Sequence, residues 1–132
     1  MNIVYVYYIR GGGMDGACTE ICVRYDKESG DAHYQSKSRS FWNKEDETVE
    51  CKVDAGLLAD ILQEVTANNL VAASEKPLSD DTVLDGACST LDIRFEDGVY
   101  IRLEDSQLLN EEEFSACKRI VGLLKNEKYR LN

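Results

Sequence analysis

Five cysteines and one histidine are the residues through which this chain could do nucleophilic or metal chemistry, and their spacing argues against both. Cys18 and Cys22 lie four positions apart. On a strand they would face one way about 13 Å from each other, too far for a disulfide or a shared zinc ion. Only a helix would bring them together. Zinc would also need further ligands, yet His33 is the sole imidazole and no Cys-x-x-Cys pair occurs. A cysteine nucleophile would need a base, and again His33 alone is on offer. The cysteines therefore read as small apolar side chains. No catalytic, cofactor-binding or metal-binding residue is assigned, and no cofactor is expected.

A second candidate is Gly11-x-Gly13-x-x-Gly16, which matches the dinucleotide-binding fingerprint behind an apolar segment. That fingerprint requires a helix next, because the helix N-terminus holds the pyrophosphate. Residues 17–26 are ambiguous alone, since Ala17, Cys18, Ile21, Cys22 and Tyr25 would also make a helical stripe. A repeat resolves them. Asp15-Gly-Ala-Cys-Thr-Glu-Ile-Cys-Val-Arg-Tyr-Asp26 recurs seventy residues on as Asp85-Gly-Ala-Cys-Ser-Thr-Leu-Asp-Ile-Arg-Phe-Glu96, with Asp, Gly, Ala, Cys and Arg identical. In the second copy Leu91, Ile93 and Phe95 alternate, as do Val99, Ile101 and Leu103, around the tight-turn pair Asp97-Gly98. Residues 17–26 are thus a strand, and the glycines make a turn. A Walker loop fails too, with Ala17-Cys18 where Lys and Ser/Thr belong. Asp80, Asp81 and Asp85 do not have calcium-loop spacing and read as a solvated loop.

Tyrosine is the more informative residue. Tyr5, Tyr7, Tyr8, Tyr25 and Tyr34 fall on three successive strands. Either they are strand packing with hydroxyls reaching solvent, or a sheet face turned from the helices offers them to a partner. On the second reading Tyr5, Tyr7, Tyr34 and Trp42 are the candidate interaction surface.

The elements that would position these residues follow from periodicity. Residues 3–9 are rich in β-branched and aromatic residues and apolar on both faces, which suits an interior strand or one with its second face covered. Residues 33–41 alternate weakly and suit an edge strand or one with a solvated face. Val49, Cys51 and Val53 point inward from the next strand, and Asp54 suits an N-cap. Leu57, Leu58, Ile61, Leu62 and Val65 place a helix over residues 55–68. A polar loop holding Pro77 spans residues 72–84. Asn110-Glu-Glu-Glu113 caps a second helix with the stripe Phe114, Cys117, Ile120, Val121 and Leu124.

At 132 residues, with 43% hydrophobic and 30% charged side chains, the chain suits one α+β domain over residues 1–132. The order ββββα-ββα predicts one antiparallel sheet of about six strands with two helices packed on one face. The repeat reads as a degenerate internal duplication, or as two similar hairpins arrived at separately. A formal charge of −10 disfavours nucleic acid and anionic membrane surfaces as partners. Nothing at the N-terminus resembles a signal peptide, and no segment is long enough to span a bilayer, so a reduced cytoplasmic location is expected.

Val83-Leu-Asp-Gly86 with Leu91-x-Ile-x-Phe-x-Asp-Gly98, and the early Gly11-Gly-Gly-Met-x-Gly16, resemble patterns in small bacterial protein families of unknown function. Those families usually carry an aromatic where Ser89 or Thr90 stands and a glycine after the second hairpin strand, both absent here. The resemblance implies an α+β domain and assigns no activity or site. Taken together, the residues point to a non-catalytic protein-binding module or self-associating domain, with a protein partner or a homodimer. Its specific version is an acidic inhibitor of immunity type that neutralises a basic toxin. The alternative is a small-molecule binder or enzyme with a pocket between sheet and helices.

Overall fold

The computed structural model describes residues 2–11, 17–39, 47–79 and 88–131. Strand β1 (Ile3–Gly11) occupies the middle of a six-stranded sheet. Around it lie β2 (Cys18–Tyr25), β3 (Ala32–Arg39), β4 (Glu47–Val53), β5 (Cys88–Phe95) and β6 (Tyr100–Glu104). Their order is β4-β3-β2-β1-β5-β6, and every neighbouring pair is antiparallel. The central place of β1 accounts for its apolar residues on both faces, as the sequence implied. Strand β3 is interior rather than an edge, with β4 outside it, and what makes β3 polar is its solvated face.

Helices α1 (Gly56–Ala67) and α3 (Glu111–Leu124) pack together on one face, as expected. The helix-facing rows of the sheet are Cys51–Tyr34–Val23–Val6–Ile93–Ile101 and Val49–Ser36–Ile21–Tyr8–Leu91–Leu103. Leu57, Ile61 and Val65 of α1 and Ala116, Ile120 and Leu124 of α3 close the core over them.

Local chemistry explains most boundaries. Gly98 takes φ +91° in the β5–β6 turn, a value that favours glycine, and the Asp97 side chain accepts the Val99 N–H at 3.1 Å. At α3 the capping box forms, with Asn110 accepting from Glu113 N–H at 2.8 Å and Glu113 accepting from Asn110 N–H at 2.9 Å. Asp54 caps less directly than expected. The helix proper begins after Ala55, and Asp54 Oδ1 instead accepts from Gly56 N–H at 2.7 Å in a tighter turn just ahead of it.

Two expectations need correction. Residues 70–73, partly inside the expected loop, form the short helix α2 (Leu70–Ala73), anchored by the fully buried Leu70 and Ala73. The chain after it is held by Gln107. The Gln107 amide donates to the carbonyls of Ser74 and Lys76, both at 3.1 Å, and accepts from Glu104 N–H at 2.7 Å. Second, Phe114 lies outside the core stripe of α3 and is 39% exposed, because Ala116, Ile120 and Leu124 take the buried line.

The two strands of the repeat occupy matching places in the sheet. Strands β2 and β5 flank β1 in the same register: Val6 faces Val23 and Ile93, Tyr8 faces Ile21 and Leu91, and Tyr5 faces Arg24 and Arg94. Both strands run the same way with the same face inward, yet β3 lies to one side of β2 and β6 to the opposite side of β5. No rotation superposes two hairpins so arranged while keeping the helix-facing side of both toward the helices. The likeness belongs to two strands in matching environments on either side of one partner.

Candidate functional site

Alternation along the strands sends a second set of side chains to the face that the helices leave bare. One row across it reads Lys52–His33–Arg24–Tyr5–Arg94–Tyr100, from β4 to β6. It holds no carboxylate. The adjacent row reads Glu50–Gln35–Cys22–Tyr7–Asp92–Arg102.

The expected tyrosine surface divides. Tyr5 and Tyr7 are half-buried on the bare face. Tyr34 lies on the opposite face, 7% exposed among core residues, because its register against Val23 and Cys51 turns it toward the helices. Trp42, like Phe41, Asp80, Asp81 and Asp85, is outside the described residues. Tyr100, which sequence reasoning passed over, joins the face beside Arg94. Its signal was present: it alternates with the inward Ile101 just after the Asp97-Gly98 turn.

Contacts within the face set its electrostatics. The Arg94 guanidinium lies over the Tyr5 ring at 5.3 Å and the Tyr100 ring at 5.5 Å from the centroids. Arg102 forks onto Asp92 at 2.8 and 3.3 Å, and that hydrogen bonding, with the Asp92 charge, holds its guanidinium protonated well above the ordinary range. The Tyr7 hydroxyl donates to Glu20 at 2.8 Å; burial first, then this carboxylate, pushes the phenol up to about 12. Across the described part of the face, Arg24, Lys37, Arg39, Lys52, Arg94 and Arg102 outnumber Glu20, Glu50, Asp92 and Glu104. A chain of formal charge −10 therefore presents a face on which cations exceed acids. Its acidic surplus is elsewhere.

The thiols are not gathered. All five cysteines are free, and Cys18 and Cys22 sit on strand β2, as the repeat required. The residues directly opposite His33 are Arg24 and Lys52, not a cysteine. Residues 12–16 of the glycine motif lie outside the described residues, but a strand and not a helix follows them, so the dinucleotide geometry does not arise. Among the described residues, no group of three or more His, Cys, Asp or Glu could hold a metal ion, and no helix is long and apolar enough to cross a membrane.

A second feature is a cavity of about 340 Å³ under the flank of α3. Tyr8, Leu91 and Leu103 form its floor, Phe114, Cys117 and Val121 its wall, and Arg10, Lys118 and Lys125 also line it. Burial first, then the charge of Glu113, pushes the Cys117 thiol up to about 11, so it stays protonated and inert near neutrality.

These features define an antiparallel α+β domain with a bare sheet face and a lateral cavity under α3. No protein-family model matches the chain, and no curated protein is similar enough to serve as a relative.

Proposed function

We propose that this protein is a non-catalytic binding module that docks an acidic protein surface onto its bare sheet face. The carboxylate-free row Lys52–His33–Arg24–Tyr5–Arg94–Tyr100 carries the reading. Arginine and tyrosine are the residue types that dominate binding energy at protein interfaces. Here they come with their conformations already restrained, which lowers the entropy lost on docking.

The charge of the face argues for the partner's sign. A basic toxin would meet cations there, so the acidic-inhibitor version does not suit this face. Stacking two copies face to face would set the cationic row against itself, which disfavours a symmetric homodimer through it. Nucleic acid fits less well than protein. Base stacking needs open ring faces, whereas the Arg94 guanidinium packs on Tyr5 and Tyr100. Guanidinium edges remain suited to forked contacts with carboxylates. The five free thiols favour work in a reducing compartment such as the cytoplasm.

The test is an amide NMR titration with a polyglutamate peptide, repeated in Arg24→Glu/Arg94→Glu. Salt-sensitive shifts along β1, β2, β5 and β6 that vanish in a still-folded double variant would support the reading. Shifts with a single-stranded oligonucleotide alone, or concentration-dependent self-association through this face, would overturn it, as would no response at all.

A further inference from the structure

We infer that the cavity under α3 is a binding site for a small amphipathic anion, a ligand with an apolar body and a single carboxylate-like head. This goes beyond the sheet-face reading and does not depend on it.

The cavity exists because the helical layer is narrower than the sheet. Six strands about 4.8 Å apart span roughly 24 Å, while two helices about 10 Å across cover roughly 20 Å. Helix α3 turns Ala116, Ile120 and Leu124 into the core. Its flank then carries a second line, Phe114, Lys118, Val121 and Lys125, at spacings of four, three and four, with Cys117 beside it. That flank overhangs Leu91 and Leu103 without filling the space between. A volume of about 340 Å³ lies within the range of small-ligand sites, toward its lower end.

Charge then selects the ligand. Arg10 follows Val6 and Tyr8 on the helix-facing side of β1, so its cation stands at the edge of the apolar floor. The Lys118 ammonium is held 4.7 Å from the Phe114 ring centroid, and Lys125, the C-cap of α3 nearly two turns on, lines the same cavity. Among the described residues neither Arg10, Lys118 nor Lys125 has a carboxylate partner. Two acids lie along the rim, Glu104, whose place on β6 turns its side chain to the bare face, and Asp105. Asp105 is already engaged, accepting the Ser89 N–H at 3.1 Å. One more polar group is available. Tyr8 is only 5% exposed, and its hydroxyl has no hydrogen-bond partner among the described residues, yet it is not sealed from the cavity. A hydroxyl that opens onto the cavity can donate to a ligand acceptor there.

Decanoate and decanol are the probes, each titrated into the full chain and followed by amide NMR. Decanoate is expected to shift Leu91, Leu103 and residues 114–121 saturably, leave Tyr5, Tyr7 and Tyr100 unmoved, and bind about tenfold tighter than decanol. Lys118→Glu/Lys125→Glu should erase that preference while keeping decanol binding. Cys117→Trp should fill the cavity and block both probes. If that variant does not fold, the double lysine variant decides. Equal affinity for the two probes, shifts mapping elsewhere, or no binding would each overturn the assignment. Because the readout excludes the bare sheet face, its failure would leave the docking proposal standing.

Discussion

Glu113 ties three parts of the molecule together, and its removal makes a quantitative test. Its carboxylate is almost buried, accepting from the Lys76 ammonium at 2.5 Å and from Asn110 N–H at 2.9 Å. The Lys76 hydrogen bond first, and the Asn110 N–H next, hold its pKa below the ordinary 4.5. Glu113→Gln keeps an oxygen for Asn110 but loses the charge. A charge-assisted hydrogen bond contributes about 1.5–3 kcal/mol. Lysine exposure of 36% screens the pair, so about 1 kcal/mol is the better figure, with about 0.5 kcal/mol more from the helix dipole. The sum is about 1.5 kcal/mol, or roughly 6 °C in Tm for a chain of this size. A group whose folded pKa is depressed stabilises fully above its unfolded value and loses that contribution as pH falls through the folded one. The gap between wild type and Glu113→Gln should therefore be whole at pH 7 and close in acid below 4.5. Circular dichroism melts of wild type, Glu113→Gln, Lys76→Met and the double variant measure it. A gap unchanged between neutral and acid pH, or strictly additive effects of the two substitutions, would refute the account.

Thiol chemistry gives another expectation. Cys88 is exposed and should react first with a thiol reagent at pH 8, while Cys117, half-buried and pushed up to about 11, should react last; mass mapping of a partially labelled sample reads the order, and early Cys117 labelling would contradict it. In an alkaline absorbance titration, Tyr7 and Tyr129, both pushed up to about 12, should ionise late, and Tyr129→Phe should diminish the late step. Burial first, then Asp60, raises Tyr129. Its stabilising contribution is therefore complete below 10.0 and lost as pH rises through about 12, so the Tm difference between wild type and Tyr129→Phe should shrink over that interval.

What the chain declares in its own order is local. The Asp97-Gly98 turn, the Asn110–Glu113 capping box and the stripe of α1 were legible because each rests on backbone preferences and hydrogen bonds within a few residues. The interior character of β1 was legible from its two apolar faces, and two helices on one face followed from two amphipathic stripes. The limits of that reading fall at longer range. The weak alternation of β3 did not say which way Tyr34 points; pairing with Val23 and Cys51 decided it. The broad apolar arc of α3 did not say that Phe114 would stand outside the core; packing against α1 and the sheet rotated it there.

The sites are the clearest case. Arg24 and Arg94 were visible as the matching arginine of a repeat, and Tyr5 as one tyrosine among several. That the two arginines bracket Tyr5 depends on β2 and β5 choosing opposite sides of β1. The cavity likewise joins Arg10 to Lys118 and Lys125, more than a hundred residues away. The long elements, the stripe of α1 and the tight turns could be read along the chain, because each is set by near neighbours, whereas the short α2 could not. Strand order and helix rotation were decided only in the tertiary structure, since they depend on burying the apolar surface of all elements at once.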